Sequence, residues 1–109
     1  MRKVKAIPYE QGLMDRLRKP EAAAAYLNAA LAEEDQATLM IALRDVAKAR
    51  SGGVEKLARD IGMHRVSLTR ALSAKGNPVY SSLNGVLKAA GLRLRVDVQK
   101  GERSRRRAA

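Results

Sequence analysis

Cysteine, phenylalanine and tryptophan are absent from this 109-residue chain, and histidine occurs once. Without cysteine there are no disulfides and no thiolate metal sites, which fits a reducing cytoplasm. A single histidine rules out a multi-histidine metal centre. Without Phe and Trp, the core must be built from Leu, Ala, Val, Ile and Met, a composition that suits closely packed helices better than a sheet sandwich. The expected fold is therefore all-α. No apolar run reaches membrane-spanning length, and the N-terminal Met-Arg-Lys-Val-Lys-Ala-Ile-Pro lacks the hydrophobic stretch of a secretion signal. The expectation is a soluble, cytoplasmic protein with no membrane partner. There is also no phosphate-cradling glycine loop and no carboxylate set spaced for metal or acid-base work, so the sequence argues against an enzyme and calls for no cofactor or metal.

What the chain does have is positive charge, +11 in all, unevenly placed. Residues 1–35 carry six basic and six acidic side chains, whereas residues 36–76 net +5, residues 77–99 net +2 and residues 100–109 net +4. Nucleic acid is the first partner such a field suggests. The tail, with Lys100, Arg103, Arg105, Arg106 and Arg107, reads as a disordered basic segment able to hold phosphates nonspecifically.

The basic field centres on residues 54–73, whose spacing is that of a DNA-binding helix-turn-helix. Ala58 is small enough to let two helices cross closely. Gly62 supplies the positive φ a sharp turn requires, at no Cβ penalty. Met63 fills the gap between the helices, and Leu68, Ala71 and Leu72 share one helical face. A helix from about residue 64 to 73 then leaves His64, Arg65, Ser67, Thr69 and Arg70 outward, with no acid from His64 to Lys75. In a major groove these residues meet base edges. Arg65 and Arg70 each suit either a bidentate contact to guanine, worth about 1–3 kcal/mol of discrimination, or a phosphate, with Arg65 favoured for bases. Lys56, Arg59 and Lys75, with backbone amides at helix starts, are the expected phosphate contacts, and these confer salt dependence rather than specificity.

One domain is expected over residues 1–99, with an N-terminal helical extension at 9–34 ahead of the motif. Pro8 and Gly12 bracket a short segment in which Leu13, Met14 and Leu17 share a side. Pro20 begins the next helix, with Tyr26, Leu27, Ala30 and Leu31 as its apolar side. Asp35 is the N-cap of a third helix carrying Leu39, Leu43, Val46 and Ala47, ended by Ser51-Gly52-Gly53. After the motif, Gly76-Asn77-Pro78 breaks the chain. A last helix from about Ser81 carries Leu83, Val86, Leu87 and Ala90, and Gly91 stops it. At 92–99 the period changes: Leu92, Leu94, Val96 and Val98 alternate with polar residues, as in a half-buried strand. A lone strand needs a partner. Pairing between two copies across a two-fold axis, which makes a homodimer, is the economical expectation. Addition to another protein's sheet edge, or pairing with Val4 to Ile7 of the same chain, are the alternatives.

Pro8-Tyr9-Glu10 with Leu13, the Ala22-Ala23-Ala24-Ala25-Tyr26-Leu27-Asn28-Ala29-Ala30-Leu31 helix, Ala42-Leu43-Arg44-Asp45-Val46-Ala47 and Gly76-Asn77-Pro78 resemble addiction-module antidote proteins. These are antitoxins similar to the HigA type, with a Cro/repressor-like helix-turn-helix. The likeness runs from about residue 8 to 98, and the N-terminal half narrows it, because the motif itself is generic to repressors. It implies a five-helix DNA-binding domain that neutralises a small ribonuclease-type toxin and represses their shared promoter. The Arg-rich end from Glu102 onward does not map to the family. The resemblance supports Arg65, Ser67, Thr69 and Arg70 as exposed positions of the recognition helix. The charge-balanced N-terminal segment, with Tyr9, Leu13, Met14 and Leu17, is the expected toxin-docking surface. A stand-alone helix-turn-helix repressor is the main rival, and an interaction module that never touches DNA is the third.

Overall fold

The computed structural model describes residues 9–101, and these fold into six helices with no strand among the described residues. They are α1 (Tyr9–Leu17), α2 (Pro20–Ala32), α3 (Gln36–Arg50), α4 (Val54–Ile61), α5 (Arg65–Ala71) and α6 (Tyr80–Ala89). The fold is all-helical as expected, but it has six helices rather than the five that the resemblance implies. The segment from Tyr9 forms a full helix that runs through Gly12, where an added Cβ would meet only the tip of Arg16 at 4.0 Å.

The third helix, α3, is the hub. It packs on α1, α2, α4 and α6, while α5 is held by α4. Its start is fixed by Asp35, whose carboxylate accepts from the Thr38 backbone N–H at 3.0 Å and from the Thr38 hydroxyl at 2.6 Å. Those bonds hold the Asp35 carboxyl below its ordinary range and satisfy an amide that the helix itself leaves unpaired.

The core contains no aromatic ring. Leu17, Leu43, Val46, Leu57, Leu68, Leu72 and Val86 are its largest fully buried side chains, with Ala23, Ala47 and Ala58 filling the close crossings. Tyr9 and Tyr80 are exposed, and Tyr26 sits at the edge, its hydroxyl donating to Asp45 at 2.6 Å. Burial, and then that bond to a carboxylate, push the Tyr26 hydroxyl above the ordinary phenol range. Ile contributes nothing to the fully buried set, and Ile41 is exposed. On α2 the inward side also differs from the expected one: Leu27 and Ala30 are buried, but Ala23 joins them and Leu31 is 48% exposed.

Residues 92–99 form no strand within the described residues of the single chain. No backbone ladder forms, and Val96 is 95% exposed, Val98 67% and Leu94 43%, with only Leu92 tucked against the core. An extended segment becomes a strand only when a neighbour accepts its hydrogen bonds, and no described segment of this chain does so. The alternative partner, Val4 to Ile7, lies outside the described residues, as do Arg103 to Arg107 of the basic tail.

Candidate nucleic-acid interface

Two helices and a tight turn carry the candidate surface. Leu57 and Ala58 are the buried residues of α4, and Ala58 is 1% exposed where the crossing needs a small side chain. Gly62 adopts φ 75° and ψ 34°, the left-handed conformation expected of it. Around it the Met63 N–H donates to the Ala58 carbonyl at 2.8 Å and the Gly62 N–H to the Arg59 carbonyl at 3.3 Å, the paired bonds that close a helix before a reversal. Met63 is half-buried against the core, as a gap-filler should be.

Beyond the turn, α5 runs from Arg65 to Ala71, two residues short of the expected end at Ser73. Leu68 and Leu72 are fully buried and Ala71 half-buried, so this side faces the core. His64, Arg65, Ser67, Thr69 and Arg70 are all exposed. His64 occupies the N-cap position, but its side chain makes no capping bond. A shallow hollow of about 320 Å³ brings together Arg65, Thr69 and Arg70 with Val66 and Ser73. His64 and Ser67 lie outside that lining.

Val66 was not singled out in the sequence. It is 57% exposed. At about 100° per residue it falls almost opposite Leu68, so the helical period held the signal; its apolar character hid it among core candidates.

The expected phosphate contacts Lys56, Arg59 and Lys75 are exposed as well. Lys56 is engaged, with its ammonium 2.9 Å from the Asp60 carboxylate one turn along α4. Such a surface pair is worth about 0.3–0.5 kcal/mol, little enough for a phosphate to displace. Arg59, Lys75, Arg65 and Arg70 form no ion pair among the described residues. From residue 61 to residue 96 the chain contains no Asp or Glu, so nothing acidic is contributed by α5, α6 or the turn between them.

Two polar side chains tie distant parts of the fold together. The Gln36 amide donates to the Gly76 carbonyl, joining the start of α3 to the turn after α5. The Arg50 guanidinium donates to the Ala90 and Arg18 carbonyls, tying the ends of α1, α3 and α6. Arg50 counts toward the basic field, yet it is committed inside the molecule. None of these contacts carries a sequence signal, because all three acceptors are backbone carbonyls far along the chain.

On the toxin side, the structure does not assemble the expected residues. Tyr9 is 77% exposed and Met14 half-buried, but Leu13 and Leu17 are 4% and 2% exposed. These two lie at i, i+4 on α1 and seat that helix on the core, so they are packing residues rather than a docking surface. The ion pair between Lys48 and Glu10 pins α1 to α3 as well. It lowers the Glu10 carboxyl and raises the Lys48 ammonium from their ordinary values.

Among the described residues no helix is long and apolar enough to cross a membrane, and no three His, Asp or Glu side chains gather as a metal-holding group. A family model described as "Probable addiction module antidote protein" matches residues 9–98, the six helices together with the extended segment after them. The chain therefore belongs to the addiction module antidote family. A Haemophilus influenzae protein described as uncharacterized is 39% identical over 71 residues, covering 65% of this chain and 71% of that one. No solved structure matches the chain.

Proposed function

We propose that this chain is an antitoxin that binds its own promoter through α4, the Gly62 turn and α5, acting as a helix-turn-helix, and that neutralises a cognate ribonuclease-type toxin. The observation that carries the DNA half is the exposed face of α5. Arg65, Thr69 and Arg70 converge there, His64 and Ser67 flank them, and no acid intervenes. On a duplex this face enters the major groove, with Arg65 on bases, while Lys56, Arg59 and Lys75 hold phosphates. Family membership supports the toxin half. On α1 it leaves Tyr9 and Met14 as candidate contacts, since Leu13 and Leu17 serve the core. Two copies join through residues 92–99, whose Leu94, Val96 and Val98 are exposed and whose backbone forms no ladder within the chain, so that paired α5 helices address a two-fold operator.

The test has two arms. Full-length chain titrated with the DNA upstream of its own gene at moderate salt should bind it well above unrelated DNA of equal length, since specific sites exceed nonspecific ones by about 10³-fold or more. Co-expression with the product of the adjacent gene should give a stoichiometric complex. Equal affinity for both DNAs contradicts the operator reading. Operator binding with no captured partner leaves a stand-alone repressor.

A further inference from the structure

The DNA reading assigns the polar residues of α5 and leaves Val66 unexplained. Val66 is the second residue of a helix whose N-terminal turn is the part that reaches deepest into a groove. It stands 57% exposed although a β-branched residue is a poor choice on a solvated helix surface. With Thr69, Arg70 and Ser73 it falls at i, i+3, i+4 and i+7, and all four line the hollow that Arg65 also borders. Val66 and Thr69 bring methyl groups to that hollow, and Ser73, Arg65 and Arg70 complete its lining.

We infer that this hollow is a subsite for the 5-methyl group of a thymine, with Val66 as the residue that reads it. The major-groove edge of a duplex presents one apolar group, the thymine methyl, and its known complements are apolar side chains and the methyl of Thr. Arg65 and Arg70 lie five residues apart, about 7.5 Å along the helix axis, which corresponds to about two base-pair steps. At about 100° per residue their side chains also diverge by about 140°, with Val66 and Thr69 between them on the helix face, where a thymine flanked by two arginine-read guanines would meet them. Val66 is a specificity residue: it discriminates thymine from cytosine or uracil, whereas the arginines supply the guanine contacts.

This inference rests on the DNA reading, and its test separates the two. The full chain is used to enrich duplexes from a randomised pool, and each thymine in the protected half-site is then replaced singly by uracil, which removes the methyl and leaves every hydrogen-bonding group in place. At one position opposite α5, uracil should weaken the wild-type protein about three- to fivefold, the effect of one buried methyl. Val66→Ala should bind the thymine duplex about as weakly as wild type binds the uracil one, and should no longer distinguish the two. Val66→Thr, which keeps one methyl, should retain part of the preference. Because Val66 is exposed, both variants should keep the wild-type helical circular dichroism. Indifference of the wild type to every uracil, an enriched site without thymine opposite α5, or an unchanged thymine preference in Val66→Ala overturns the subsite while operator binding stands. A pool from which nothing is enriched contradicts the DNA reading itself, and the subsite with it.

Discussion

Residues 9–50 and residues 61–96 each carry six cationic side chains, but the first stretch has seven acids and the second has none. In α1 to α3 seven of these thirteen charged side chains are used within the molecule. Lys48 bridges to Glu10, Arg18 to Asp15 at 3.1 Å, Asp35 caps α3, Asp45 accepts from Tyr26, and Arg50 binds two carbonyls. Around α5 and α6, Arg65, Arg70, Lys75 and Lys88 have no such partner among the described residues. Here glycines set the turns: Gly62 turns the chain into α5, and Gly76 allows backbone to approach backbone after it. Charge that holds the fold is thus concentrated in α1 to α3, and the α5 face is left free of internal competition.

The contrast can be broken at several points. The largest effect is expected at Gly76, where an added Cβ would stand 2.0 Å from the Ala71 carbonyl oxygen. Gly76→Ala should cost about 3–5 kcal/mol in chemical denaturation, because a backbone atom cannot move aside as a side-chain tip can. A near-neutral result would mean that the turn after α5 is loose. Leu17→Ala comes next, at about 2–4 kcal/mol, since Leu17 is 2% exposed and its removal leaves a cavity where α1 seats on the core. If stability were unchanged and toxin capture lost instead, α1 would be a docking arm after all. Tyr26→Phe is the smallest, at about 1 kcal/mol, through loss of the bond to Asp45. Its pH signature sharpens the assignment. The folded state holds the Tyr26 hydroxyl above its ordinary value of 10.0, so this contribution is fully present below pH 10.0 and is lost as pH rises beyond it. Tyr26→Phe should remove that alkaline decline.

The periodic parts were legible in the sequence. Leu43, Val46, Ala47, Val86 and Leu87 recur at helical spacing and are buried, and Asp35 and Gly62 take the cap and the left-handed turn their chemistry favours. Legibility failed where sequence contrast was low or a partner lay elsewhere. The Pro-Glu-Ala-Ala-Ala-Ala-Tyr-Leu helix is apolar nearly all round, so nothing local marks Ala23 as inside and Leu31 as outside. Alternation at residues 92–99 describes a two-faced segment but not a neighbour to pair with. Leu13 and Leu17 looked available because burial against α3 depends on how helices distant in sequence pack. At the candidate interface the outward positions of α5 could be read from the Leu68 and Leu72 stripe. Val66 could not, because an apolar residue is assumed to point inward until its helical phase is set against that stripe.

The most direct test compares cations from the two regions. Arg65→Ala with Arg70→Ala, and separately Arg18→Ala with Lys48→Ala, remove two charges each from a protein of the same net charge, and both doubles are titrated with the promoter fragment across a salt series. The Arg65/Arg70 double should lose about 10²-fold or more in affinity and lower the slope of log K against log salt by about one to two, while the Arg18/Lys48 double should keep the wild-type affinity and slope. Equal losses from the two pairs, or none from the first, would contradict the operator reading.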